Sequence, residues 1–304
     1  MAWADTTRRL LVDANGLRFE VFEAGDPSSD RFAICLHGFP ESAYSWRFQV
    51  PLLAALGYHV WAPNLRGYGE SSKPPGVPAY RIDELVNDVV GLIDAHRARA
   101  DTNEVVLIGH DWGAAVAWSV ASRDAASIDR LVIMNVPHPA IFAEVLRTDR
   151  AQLKASWYIF FFQIPGLPEA LLRANHAARI KRMFLSSTTN PSTFTEADAD
   201  VYAANFDRPG AATAMINYYR ALWRNRRDAV AVAEIAVPTL MIWGEADVAL
   251  TKATTYGTER YVDDLTLRYL PGVSHWVQQD APEDVNRMLS AWLTGAEVPE
   301  AGDR

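Results

Sequence analysis

Through residue 136 the chain alternates short apolar runs with stretches of helical periodicity. Leu10–Gly16 and Leu17–Phe22 read as two strands of a hairpin turning at Asn15-Gly16, a dipeptide that tolerates the positive φ of such turns. Phe32–Leu36, His59–Pro63, Glu104–Ile108 and Arg130–Val136 follow as further strands. Among the stretches between them, Arg81–Ala100 sets Leu85, Val89, Leu92 and Ile93 at helical spacing. Strands this continuously apolar are expected to be buried on both faces. The pattern therefore predicts an α/β fold with a mostly parallel central sheet covered by helices.

After Pro137-His138-Pro139 the strand signal stops. Residues 138–232 are rich in Ala, Arg and aromatics, helical in character, and interrupted by Pro165, Pro168, Pro191 and Pro209. Strands resume at Thr239–Trp243 and Thr266–Leu270. A helical insert between strands of one sheet is most simply a cap over their carboxyl ends, where α/β sheets bind ligands. The expected division is a core of residues 1–137 and 233–304 and a helical cap of residues 138–232. Glu297–Arg304 reads as a loose tail.

A length of 304 residues with 49% hydrophobic content suits one such domain with an insertion. The net charge of −8 argues against nucleic acid or an anionic membrane as partner. No apolar run approaches the ~20 residues that span a bilayer. Met1–Arg9 lacks the charged, apolar, small-residue order of a secretory leader. Cys35, the one cysteine, lies in an apolar strand and reads as packing. The expectation is a soluble cytoplasmic protein, with a homo-oligomer left open.

Candidate chemistry centres on Gly109-His110-Asp111-Trp112-Gly113, between the Glu104–Ile108 strand and the small-residue stretch Ala114–Trp118. That strand-turn-helix setting is a nucleophile elbow with aspartate in the central position. A carboxylate is ionised at neutral pH and can attack saturated carbon, opening an epoxide or expelling a halide and leaving an alkyl ester. Hydrolysing that ester requires a base. His275, in the turn after the last strand, has the position for it; His59 sits inside a strand, His96 at a helix end and His176 in the insert. Glu245 and Asp247 both follow the strand ending at Trp243 and compete to orient the imidazole. Asp247 is preferred, because a residue immediately off a strand usually belongs to the turn. Backbone N–H groups of Trp112 and of Phe39, in His37-Gly38-Phe39-Pro40, are expected to stabilise an oxyanion. No Cys/His cluster has metal-ligand spacing and no Gly-rich loop suits a phosphate, so neither metal nor cofactor is expected.

His37-Gly38-Phe39-Pro40-Glu41-Ser42 continuing to Ser45-Trp46-Arg47, Leu65-Arg66-Gly67-Tyr68-Gly69 and the Asp111 elbow together resemble the epoxide hydrolase family of α/β-hydrolases. The similarity covers residues 10–295. It implies an α/β-hydrolase fold, supports Asp247 as the acid of the triad, and implies two cap tyrosines that hold and protonate the epoxide oxygen. Ser156–Gly166 is similar to the segment bearing the first and places it at Tyr158. Met215–Arg220 is similar to the segment bearing the second and places it at Tyr219. Position 218 is tyrosine where the family often has tryptophan, which leaves the register of the second tyrosine open. Tyr218, Phe160, Phe161 and part of Trp157 read as packing, and the aromatic density of residues 157–162 suits an apolar pocket wall.

The Gly-x-Asp-x-Gly element is shared with haloalkane and fluoroacetate dehalogenases. Fluoroacetate dehalogenases place arginines where this chain has Trp112 and Ala115, and haloalkane dehalogenases usually have asparagine where it has Phe39. The resemblance thus implies cofactor-independent hydrolysis of a small apolar epoxide by water. A haloalkane-type dehalogenase and a catalytically silent small-molecule binder are the alternatives.

Overall fold

The computed structural model describes residues 3–225 and 234–302. Among them, eight strands form one sheet in the order β1-β2-β4-β3-β5-β6-β7-β8. The strands are β1 (Arg8–Ala14), β2 (Leu17–Ala24), β3 (Arg31–Leu36), β4 (His59–Pro63), β5 (Glu104–His110), β6 (Arg130–Met134), β7 (Thr239–Gly244) and β8 (Leu265–Leu270). β1 and β2 form the antiparallel hairpin, β2 pairs antiparallel with β4, and every pairing from β4 to β8 is parallel. The interior strands β4, β5, β6 and β7 are buried almost throughout, as their apolar runs predicted. β1 and β8 lie at the sheet's two edges and stay partly exposed.

The helices are α1 (Trp3–Thr6), α2 (Gln49–Ala55), α3 (Ile82–Arg97), α4 (Trp112–Arg123), α5 (Pro139–Thr148), α6 (Arg150–Ala155), α7 (Trp157–Phe161), α8 (Leu167–Ser187), α9 (Glu196–Asp207), α10 (Ala211–Arg224), α11 (Val277–Asp280) and α12 (Pro282–Leu293). Helices α5 to α10 lie in the interval between β6 and β7; the boundary expected at residues 232 and 233 lies outside the described residues. Because β3 is flanked by β4 on one side and β5 on the other, successive connections leave the sheet in opposite directions beside it. A crevice opens at the carboxyl ends of strands at such a switch point. β5 ends there, one residue before Asp111.

Two sequence expectations are corrected. Trp157 and Phe160 do not pack inward: they are 63% and 46% exposed on the outer side of α7, because Tyr158, Ile159 and Phe162 take the inward positions. The C-terminal stretch is not loose as far as it is described. Val298 is buried, and Arg268 donates hydrogen bonds to the Val298 and Pro299 carbonyls at 2.8 and 3.2 Å.

Several histidines are structural. His59 and His96 share a hydrogen bond of 2.8 Å between Nδ1 and Nε2, and His96 stacks on Phe32. His37 accepts from the Leu65 N–H at 3.1 Å and so anchors the start of the loop after β3. Burial lowers the pKa of His37, His96 and His138 to about 4 each. The unfolded chain binds these protons more readily, so their contribution to stability is complete above about pH 6.5 and is lost as pH falls from there towards 4. His275 is shifted upward, and its contribution is already complete below that value. His59, lowered by burial, adds to the trend, while Asp88, raised by burial, opposes it together with His275. Each pH unit inside the window costs up to about 1.4 kcal/mol per histidine. The urea midpoint should therefore be lower at pH 5 than at pH 7 with little change in slope. An equal or higher midpoint at pH 5 would contradict this account.

Candidate active site

Asp111 occupies the single residue between β5 and α4, with φ 47° and ψ −123°. A non-glycine residue at positive φ is strained and needs surroundings that hold it there. Two glycines make the turn possible. A Cβ on Gly113 would lie 2.0 Å from the Leu36 carbonyl oxygen, and one on Gly109 would lie 2.6 Å from the Gly113 carbonyl oxygen. The strand and helix can approach this closely only without those atoms. The turn lifts the Asp111 carboxylate above the sheet, where its side chain is 16% exposed.

The loop after β3 reaches back to this carboxylate. The Phe39 N–H donates to Asp111 Oδ1 at 2.5 Å, and the Phe39-Pro40 peptide bond is cis. Trp112 is the first residue of α4, where an N–H has no intrahelical acceptor. Of the two N–H groups expected to form an oxyanion hole, that of Phe39 meets this carboxylate directly and that of Trp112 belongs to the next residue in the chain. Burial alone would raise the Asp111 pKa; His275, His110 and the Phe39 N–H outweigh it and hold the carboxylate below its ordinary value.

His275 follows β8, with Nε2 3.6 Å from Asp111 Oδ2 and Nδ1 2.6 Å from Asp247 Oδ2. Asp247 is buried and accepts from the Ala249 and Leu250 N–H groups at 2.7 and 3.0 Å. Glu245 instead pairs with Lys252, as a residue of the turn. Burial alone would lower the His275 pKa; Asp247 and Asp111 reverse that and hold it well above its ordinary value. Both carboxylates thus favour the protonated form of the imidazole.

Tyr158 on α7 and Tyr219 on α10 line the same cavity as Asp111. Their rings meet edge to face at 5.8 Å between centroids. Burial, followed by the negative charge of Asp111, raises both phenol pKa values, so the rings are held as O–H donors. Tyr218 also borders the cavity but donates its O–H to the Arg66 carbonyl at 2.8 Å, whereas Tyr219 is the neighbour that feels the charge of Asp111. The rest of the cavity is mainly apolar, with Val136, Phe142, Ile159 and Leu222 among its walls.

Sequence reasoning missed two supporting residues. Asn135, after β6, sits at φ 48°; its Nδ2 donates to Asp247 Oδ2 at 2.8 Å and its Oδ1 accepts from the Gly244 N–H at 2.8 Å. An asparagine after a strand, a residue type that tolerates positive φ, is the one signal that could have marked it. Glu41 is fully buried and gathers four partners: the Gly38 N–H at 2.8 Å, His110 Nδ1 at 2.8 Å, Gln278 Nε2 at 3.0 Å and Gln279 Nε2 at 2.8 Å. His110 in turn bonds the His275 carbonyl at 2.8 Å. One carboxylate thereby joins the Phe39 loop, the Asp111 elbow and the His275 loop. Among the described residues, no group of three or more His, Cys, Asp or Glu could hold a metal ion.

Comparison with known proteins places the chain in a family. The family model described as alpha/beta hydrolase fold matches residues 34–282. AB hydrolase superfamily protein YfhM of Bacillus subtilis (strain 168) is 37% identical, over 95% of this chain and 99% of that protein. Epoxide hydrolase A of Mycobacterium tuberculosis is 35% identical, over 95% of this chain and 98% of that protein. The crystal structure of Epoxide Hydrolase A from Mycobacterium thermoresistibile superposes with a TM-score of 0.83 at 32% identity, covering 97% of this chain and 100% of that one.

The Glu41 hub yields a measurable expectation. Glutamine keeps the shape but offers one acceptor oxygen for the N–H donors of Gly38, Gln278 and Gln279, and turns an N–H towards one of them. Hydrogen bonds to a buried charge are worth roughly 1.5–3 kcal/mol each. Glu41→Gln should therefore lower the unfolding free energy by about 3 kcal/mol in urea. A loss under about 1 kcal/mol would show that the hub is not what ties these loops together.

Proposed function

Because the chain belongs to the α/β-hydrolase fold family, and within it to the epoxide hydrolases, we propose that it converts epoxides to vicinal diols through an alkyl ester on Asp111. The observation that carries this reading is the meeting of one strained carboxylate and two phenols in a mainly apolar cavity, with an imidazole 3.6 Å from the carboxylate.

In the first step a carboxylate oxygen of Asp111 attacks an epoxide carbon and the ring C–O bond breaks. The electron pair leaves on oxygen, which remains tethered as an alkoxide and is a poor leaving group. Tyr158 and Tyr219 donate hydrogen bonds to that oxygen as charge develops, and one of them delivers a proton. Such donors accelerate the step because they bind the transition state more strongly than the neutral ether. In the second step His275, oriented by Asp247, takes a proton from water, and the hydroxide attacks the ester carbonyl. Phe39 and Trp112 N–H groups stabilise the tetrahedral oxyanion. Collapse breaks the acyl C–O bond, the alkoxide takes the acid proton left on Asp111, and the phenolate formed in the first step is reprotonated by His275, so that diol leaves with Asp111, His275 and the tyrosine restored.

Residues 138–232 act in this reading as the cap that brings both phenols to the substrate and limits water around it. A substrate carboxylate finds no clamp beside the nucleophile, since Trp112 and Ala115 line the cavity there.

Purified protein should hydrolyse a simple aryl epoxide and release little or no bromide from a bromoalkane. The opposite pattern would make it a dehalogenase, and inactivity on both would make it a binder. His275→Gln should allow ester formation but block its hydrolysis, so intact-mass measurement after incubation with epoxide should show an adduct on Asp111. Unmodified protein would remove either the nucleophile or the base from the scheme. Replacing Tyr158 or Tyr219 singly with phenylalanine should slow ring opening roughly ten- to a thousandfold, and the double variant should be nearly inactive while staying folded. Full turnover by the double variant would refute the role given to the cap tyrosines.

A further inference from the structure

Two phenols can hold one oxygen only if their spacing is held, and α7 is poorly equipped to hold its own. It has five residues, too few to be stable as an isolated helix, and its last carbonyls are met only by turn bonds from the N–H groups of Phe162, Gln163 and Ile164. On its outer face Trp157 and Phe160 are exposed, Phe160 meeting the Trp223 ring of α10 edge to face at 5.2 Å, so most of its packing is on the inner side.

The chain supplies a second grip from α10. Arg220 directly follows Tyr219 and is buried. Its Nε donates to the Phe162 carbonyl at 3.0 Å and its Nη2 to the Ile164 carbonyl at 2.9 Å, which caps the exit from α7. Nη1 and Nη2 also bond Glu169 at 2.6 and 3.1 Å, at the start of α8, and Nη1 reaches Asn217 Oδ1 at 3.4 Å. These contacts occupy all five N–H donors of the guanidinium. A reciprocal contact runs the other way: Gln163 Nε2 donates to the Ile159 carbonyl at 2.9 Å and to the Tyr219 carbonyl at 3.3 Å. The segment bearing Tyr158 and the helix bearing Tyr219 are thus joined at two points, each within a few residues of a phenol.

We propose that Arg220, seconded by Gln163, is a positioning residue that sets the spacing of Tyr158 and Tyr219 for ring opening; the inference rests on the role given to those tyrosines above. Lysine cannot replace it there. An ammonium keeps the ion pair with Glu169 but cannot present a planar fork to two carbonyls and a carboxylate together. Because the tyrosines act in ring opening and not in ester hydrolysis, loss of the clamp slows the first step alone. A misplacement near 1 Å costs on the order of a hundredfold in rate.

The test is single-turnover quench-flow with enzyme in excess over an aryl epoxide, following the ester by intact mass and the diol by chromatography. Arg220→Lys should slow ester formation by roughly ten- to a hundredfold, leave the rate of ester hydrolysis within twofold, and stay folded with a urea midpoint lowered less than that of Arg220→Met. Arg220→Met, which also leaves Glu169 unpaired, should slow ester formation at least as much and should lower the midpoint. In a Tyr158→Phe background, Arg220→Lys should add less than it does alone, because it acts through the residue already removed. Unchanged ester formation in folded Arg220→Lys would overturn the proposal. So would equal slowing of both steps, which marks general loosening, and so would full additivity with Tyr158→Phe. If the Tyr158→Phe/Tyr219→Phe variant itself opens the epoxide at the wild-type rate, the tyrosine reading fails first, and this result is distinct from failure of the clamp.

Discussion

A carboxylate held at positive φ, with a strand ending on one side and a helix beginning on the other, sets the terms for everything around it. Asp111 keeps that conformation because Gly109 and Gly113 let β5, α4 and the end of β3 close to distances that side chains would forbid. Strain of this kind costs on the order of 1–3 kcal/mol and persists only where the surroundings over-determine it. Here they do. The Phe39 N–H binds one carboxylate oxygen, the imidazole of His275 stands near the other, and Gly38 lies so close that a Cβ there would fall 2.3 Å from that of Asp111.

The loops that converge on the elbow are held by buried charge as well as by apolar packing. Glu41 joins Gly38, His110, Gln278 and Gln279, and Asn135 joins Asp247 to Gly244. Hydrophobic burial builds the sheet and its helices, but it is non-directional and cannot place an imidazole to within half an ångström. Directional bonds among a few buried polar groups do that, and at low local dielectric they are strong when complete.

Much of the fold was legible along the chain because its signals are local. The buried strands are apolar runs, the hairpin carries Asn15-Gly16, and the elbow carries its glycines around Asp111. The choice between Glu245 and Asp247 could also be reasoned locally, and the structure turns Glu245 towards Lys252 and Asp247 towards His275. What was not legible is long-range. Glu41 lay inside a quoted motif, yet its partners Gln278 and Gln279 are more than two hundred residues away. Arg220 closed a quoted segment, but its bonds to Phe162 and Ile164 exist only once two helices of the insert meet. Composition misled at Trp157 and Phe160, because aromatic density does not say which side of a five-residue helix faces water. It misled again at the C-terminus, where one buried valine and one arginine tether a polar stretch.

The placing of His275 between Asp111 and Asp247 has a consequence for the order of events. While both neighbours are charged they favour the protonated imidazole, the form that cannot take a proton from water. An ester carries no charge. On the proposed route, alkylation of Asp111 removes one of the two anions that favour that proton, the phenolate left by ring opening accepts it, and His275 acts as a base when there is a bond for water to break. The nucleophile then also orders the cycle: water activation is favoured once substrate is bound covalently, and the starting charges return with the carboxylate.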